Sequence, residues 1–247
     1  MKYLTFILTI LLLLPEMGFT QTPDGNDILR QIDSNLSAEN MIATSTMVIR
    51  GRRASRSITA KSWIQGTEQS FTEYLSPPRE AGTKMLKLED QLWIYSPQTD
   101  RTIRIAGHML RQSVMGSDLS YEDMMEDPKL ENMYSAEVIG EEEINGRDCW
   151  ILELTARVDD IAYHSRRIWV DKERMIALKE NRYAKSGKLL KTAEIQEVMR
   201  QEGRWYPERM TFKDALSQGE GTEYIIESIE FNAEIPEYIF TRASLRR

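Results

Sequence analysis

The chain has 247 residues, 41% hydrophobic and 29% charged, with a formal charge of −7. That balance suits a folded domain with a real core and excludes a disordered tail or a polytopic membrane protein. The acidic excess argues against a protein that wraps nucleic acid, and one cysteine with two histidines excludes an intramolecular disulfide and a thiolate or imidazole zinc site. Neither a metal nor a cofactor is expected.

The amino terminus carries Lys2, an apolar run over residues 4–14, then Pro15 and Glu16. Such a run is too short to span a bilayer, which needs roughly 20 residues. Gly18 and Thr20 are small enough to precede a cleavage site. A secretory signal over residues 1–20, cut near Thr20, is therefore expected, with a membrane anchor as the alternative. No cysteine follows the cut to carry a lipid anchor. The remainder, 21–247, is expected in the periplasm as a single soluble β domain.

Residues 24–40 place Ile28, Leu29, Ile32 and Leu36 at helical spacing, with Asp24 or Asn26 as cap. Strand-like runs follow at 41–50, 57–65, 69–76, 83–88, 91–96 and 101–105. A helical insert near 107–130 interrupts them. It holds Met109, Met115, Met124 and Met125, with Met133 just beyond; Ser117 or Ser120 can cap a short helix that Pro128 stops. Strands resume at 134–144. Asn145 and Gly146 form the pair best suited to a two-residue hairpin. Over 147–155, Trp150, Leu152 and Leu154 share one face; further strands are read at 163–170, 175–185, 188–200, 204–213 and 222–231. The pattern predicts a mainly β protein built on a meandering antiparallel sheet with a few helices.

Trp63 with Ile64, Trp93 with Ile94 and Ile168 with Trp169 put large apolar groups on both faces of their strands. A strand covered on both sides needs two apolar partners. The amphipathic helix can supply one; the other is either a bound apolar ligand in a curved sheet or an ordinary sandwich core. The methionines of the insert suit a surface that repacks around variable partners, or a gap filled beneath a short helix.

Enzymatic motifs are missing: there is no Gly-x-Ser-x-Gly elbow, paired-histidine site or phosphate-cradling loop. His108 and His164 fall on different predicted elements. Asp118, Glu122 and Asp123 could hold a cation, but acids are expected in a helix's first turn anyway. A lipid hydrolase would lack an identifiable nucleophile and base.

The segment carrying Arg111, Gln112, Gly116, Ser117, Asp118, Tyr121 and Asp123 resembles the signature of the outer membrane lipoprotein-sorting family, relatives of the LolA and LolB carriers. Stretches at 84–87, 92–97, 101–104, 169–172, 187–191, 205–207 and 240–245 resemble the same family in the same order. The resemblance implies an unclosed antiparallel β-barrel with helices on its concave side and an apolar cavity between. Beside it, Asp118 and Ser120 read as helix caps. The chain departs from LolB in lacking a lipid-anchoring cysteine and from LolA in its greater length. The resemblance implies a non-enzymatic periplasmic carrier, or chaperone, for lipid or lipoprotein acyl chains, expected as a monomer with an inner-membrane transporter as partner. Leu86, Leu88, Trp93, Tyr95, Met109, Leu110, Met115 and Trp150 are nominated to line its cavity. The competing reading is an adaptor that docks on an envelope transporter and carries nothing.

Overall fold

The structure is a computed structural model that describes residues 22–51, 54–159 and 161–247. The expected signal segment lies outside these residues. Asp24 opens α1 (Gly25–Leu36) by accepting a hydrogen bond from the Asn26 amide at 2.7 Å. Ser37 turns extended and ends the helix, short of the predicted limit at residue 40.

Among the described residues thirteen strands form one antiparallel sheet. The first half comprises β1 (Asn40–Arg50), β2 (Ser55–Gln65), β3 (Gln69–Ser76), β4 (Lys84–Leu88), β5 (Gln91–Ser96) and β6 (Arg101–Ile105). The second comprises β7 (Tyr134–Ile144), β8 (Arg147–Ala156), β9 (Ser165–Asp171), β10 (Ile176–Tyr183), β11 (Leu189–Gln201), β12 (Arg204–Asp214) and β13 (Thr222–Phe231). Each half is a meander of sequential neighbours, and the two join only where β1 pairs with β13. Asn145 and Gly146 close the β7–β8 hairpin with φ of 50° and 76°, as a type I′ turn requires. The sheet does not close into a barrel, so β6 and β7 are its edges.

Consecutive in sequence, β6 and β7 lie at opposite edges. The segment between them, 106–133, therefore runs across one whole face of the sheet, and is called the strap below. Helix α1 lies on that same face. Its Ile28, Leu29 and Ile32 are at most 2% exposed and pack against Tyr134, Leu152, Leu154, Ile168 and Val170. Each such side chain stabilises the fold by about 1.5–3 kcal/mol.

Gly25 permits the close start of α1, since a Cβ there would sit 2.5 Å from the Ala136 carbonyl oxygen. Next to it, the Ala136 amide donates to Asn26 Oδ1 at 3.1 Å, so the helix start covers part of the open β7 edge.

The opposite face is covered at one end by the chain's own carboxy-terminal segment. Trp63, Phe71, Leu86 and Trp93 face one another in register across β2 to β5. Phe240 and Leu245 pack on this row, with Ile235 and Ile239 beside them. Here the second partner for two-faced strands is the chain's own Glu237–Phe240 and Arg242–Arg246 turns.

Candidate functional site

The strap begins with two 3-10 turns, Gly107–Arg111 and Val114–Gly116. It continues through α2 (Tyr121–Met125) and a 3-10 turn at Leu130–Asn132. Met115 and Gly116 both have positive φ, 51° and 71°, which swings the chain back so that the Val114 amide donates to the Leu119 carbonyl at 2.7 Å. Ser120 caps α2 reciprocally with Asp123: its hydroxyl accepts from the Asp123 amide, and its own amide donates to Asp123 Oδ2 at 2.7 Å. The helix stops at Met125, before Pro128.

Beneath the strap the sheet is apolar over β1–β5. Val114 and Leu119, with Met115, Tyr121 and Met124 beside them, pack on Met47, Ile58, Ala60 and Tyr74. Met109, Leu110 and Met125 pack beside Met85, Leu92 and Ile105. The methionines of the insert thus lie half-buried against the sheet.

Over β9–β11 the contact becomes ionic. Arg166 is only 1% exposed and lies between the rings of Tyr134 and Tyr163, 4.8 and 5.4 Å from their centroids. Its guanidinium donates to Glu126 of the strap and, at 2.7 Å, to Glu180. Arg182 donates to Glu180 at 2.9 Å and to Asp123 at 3.2 Å. Lys191 donates to Asp123, and the Tyr163 hydroxyl donates to the same carboxylate at 2.6 Å. Burial alone would raise the Asp123 pKa, but Arg182 and Lys191 hold it down at about 2. Glu180 is held at about 2 in the same way, by Arg182 and Arg166 against its burial. Burial lowers Arg166 to about 10. Three cations and three carboxylates therefore balance in a nearly dry cluster.

Asp118, a helix cap on sequence grounds, serves instead as a second tie. It accepts from Thr222 Oγ1 at 2.8 Å, from Ser217 Oγ at 3.0 Å and from the Asp214 amide at 3.0 Å. It therefore fixes the strap to β12 and β13, and Ser120 alone does the capping. Arg56 donates to the Met115 carbonyl, completing the first half of the attachment. Gln112 accepts from the Tyr121 amide at 3.1 Å, and Ser117 Oγ accepts from the Leu119 amide at 3.2 Å. The last strap turn meets α1 through Asp33, whose Oδ2 accepts from the Glu131 amide at 2.9 Å. Asp33 is 2% exposed, its Oδ1 has no partner, and burial pushes its pKa up to about 6.

A cavity of about 790 Å³ opens along the strap's flank, bordered by Arg111, Ser120, Met125, Met133, Tyr163 and Lys191, among others. That lies within the roughly 300–1,000 Å³ range of small-ligand pockets. Among the described residues no three His, Cys, Asp or Glu side chains are grouped to hold a metal. The cation considered for Asp118, Glu122 and Asp123 has no place at Asp123, whose charge is already matched by Arg182 and Lys191.

The eight apolar candidates do not share one cavity. Leu86, Leu88, Trp93 and Tyr95 belong to the opposite face, under or beside the carboxy-terminal turns. Met109, Leu110 and Met115 lie on the underside of the strap, against the sheet, and Trp150 lies beside the α1 core. Of the eight, Leu110 borders the strap-side cavity. Of the motif residues, Arg111, Ser117 and Asp118 border it too. Sequence reading missed Arg166, Glu180, Arg182 and Lys191. One signal was present: Arg166 keeps the same alternation as Ile168 and Val170, which puts a cation in an apolar register.

Residues 66–247 match the model of a family described as an uncharacterized protein. No curated protein matches the chain. Among solved structures, a DUF1329 family protein from Desulfovibrio piger is 23% identical, with TM-score 0.82 over 90% of this chain and 97% of that one. A candidate outer membrane lipoprotein-sorting protein domain from Vibrio parahaemolyticus is 24% identical, with TM-score 0.78 over 90% and 98%. A LolA superfamily protein from Nitrosomonas europaea is 22% identical, with TM-score 0.75 over 90% and 100%. At these identities the likeness is one of fold.

Proposed function

We propose that the chain, which belongs to the family whose model matches residues 66–247 and folds like a LolA superfamily protein, is a non-enzymatic carrier of lipid or lipoprotein acyl chains. In this reading it is exported, cleaved near Thr20, and works in the periplasm as one domain over 21–247, moving cargo towards the outer membrane. An inner-membrane transporter would load it. The supporting observation is the strap: a methionine-rich segment with an apolar underside, laid over the apolar floor of an unclosed sheet. An acyl chain of about 15 methylenes costs roughly 12 kcal/mol to leave in water, at about 0.8 kcal/mol each. An apolar floor offsets that cost, and flexible thioethers let it fit chains of different length.

The test is extraction of the protein purified without detergent, followed by mass spectrometry of the extract and titration with a fluorescent fatty acid. Co-purified amphiphile or saturable uptake is expected; failure of both would refute the carrier. The exposed Ile103 on edge strand β6 and Ile139 on edge strand β7 favour the adaptor as second reading. Photo-crosslinkers placed at Met109 and Met125 discriminate, since lipid adducts support the carrier and protein adducts alone support the adaptor.

A further inference from the structure

Arg166, Arg182 and Lys191 come from the adjacent strands β9, β10 and β11 and converge on one spot under the strap. Among the described residues, their only close carboxylate on the sheet itself is Glu180. The other two carboxylates, Asp123 and Glu126, belong to the strap. Lifting the strap would leave three cations against one anion beside the apolar floor of β1–β5.

The donor set is also larger than the strap can satisfy. Arg166 Nε and Arg182 Nε are buried without an acceptor, and the Arg166 side chain is 2% exposed. Buried donors of this kind carry a cost that an added acceptor removes. The strap, for its part, is held to the floor by side chains. Among the described residues, no backbone-to-backbone hydrogen bond joins 107–132 to a strand. The cavity that borders Lys191, Tyr163 and Glu126 gives access to the cluster from the side.

We infer that this three-cation floor is a recognition site for the headgroup of a net-anionic amphiphile, best a phosphate diester that carries no balancing cation such as choline, and that Asp123 and Glu126 occupy it as an internal stand-in. Guanidinium forks suit a phosphate that offers two oxygens, and the compact lysine ammonium adds a point charge. Bound cargo would exchange one set of anionic oxygens for another, so the buried cations are not left unpaired when the strap moves. The inference rests on the carrier reading and adds the headgroup to it.

The test is titration calorimetry of the purified protein with submicellar dihexanoylphosphatidylglycerol, dihexanoylphosphatidylcholine and inorganic phosphate. Phosphatidylglycerol is expected to bind at least about tenfold more tightly than phosphatidylcholine, and Lys191→Met to remove that preference. Glu126→Gln is the decisive variant, because a stand-in and a merely structural residue predict opposite signs. Its removal should tighten phosphatidylglycerol binding about tenfold and phosphatidylcholine, whose choline cation balances its phosphate, by much less. A Glu126→Gln protein that binds phosphatidylglycerol more weakly, or no more tightly, overturns the stand-in even if Lys191→Met does not fold. Equal affinity for the two lipids overturns the headgroup site and leaves the carrier standing. Inorganic phosphate binding as tightly as phosphatidylglycerol overturns the lipid assignment in favour of a free-anion site. No binding of either lipid overturns the carrier and the headgroup site together.

Discussion

Asp33→Asn should change stability by an amount that depends on pH in a calculable way. The Asp33 carboxyl has a raised pKa, about 6 against an ordinary 3.8, chiefly because it is buried between α1 and the last strap turn. Two amides, those of Glu131 and Leu130, pull it back only in part, and the charges of Glu131 and Asp127 push it further up. Between these two values the native chain holds a proton that the unfolded chain has released. Stability from this group is therefore full below 3.8 and is lost as pH rises to about 6. At 1.36 kcal/mol per unit the loss is about 3 kcal/mol. Asparagine keeps an acceptor for the Glu131 amide and cannot ionise. Its own unpaired N–H adds a constant cost of about 1–3 kcal/mol at every pH. Urea unfolding of both proteins at pH 4, 5, 6, 7 and 8 gives the difference directly. Relative to wild type, the variant should gain about 2.5 kcal/mol between pH 4 and pH 8, the rest lying below pH 4. A difference that stays flat across that range would refute the argument that burial raises this carboxyl.

Acid should act on the other end of the strap. Asp123 and Glu180 are depressed to about 2, so their contribution is full above about 4.5 and is lost as pH falls to about 2. Hydrogen exchange across 106–133 should rise in that window ahead of the β1–β3 amides, and simultaneous loss would contradict a locally held strap. Gly25→Ala places a Cβ 2.5 Å from the Ala136 carbonyl oxygen, and should destabilise by about 1–3 kcal/mol despite better helix propensity; thermal melts check this, and a stabilised variant would refute the close approach. Phe240→Ala empties a site that is 7% exposed over the Trp93 row. A cost of about 3–5 kcal/mol and a red shift of tryptophan emission are expected, and a loss below about 1 kcal/mol would show that the carboxy-terminal turns do not hold that face.

Much of the fold was legible because strands and hairpin turns are local. Asn145 with Gly146, the alternation of Trp150, Leu152 and Leu154, and the single face of α1 all follow from short-range rules. The candidate site was less so. Strand alternation separates Leu86 from Met85 but does not say which of the two faces the strap; the structure puts Met85 there and Leu86 under Phe240. The carboxy-terminal cover was hidden because its 3-10 turns have no apolar period to recognise. The ionic cluster was hidden for another reason. A register shift between Ala177 and Lys179 breaks the alternation of β10, so Glu180 and Arg182 face Arg166 where counting from Ile176 would turn them away. A charged residue in a strand reads as solvent-facing until its cross-strand partner is known.

The order of the strands also bears on how the chain finds its fold. Within each half, every strand pairs with the one before it in sequence, so both meanders can zip from hairpins. The β1–β13 seam in the middle is different: Ser45 donates to the Tyr224 hydroxyl at 2.8 Å across 179 residues, beside a bulge between Thr44 and Ser45. Loop-closure entropy must be met before that pairing returns anything, which makes the seam the slow step of assembly.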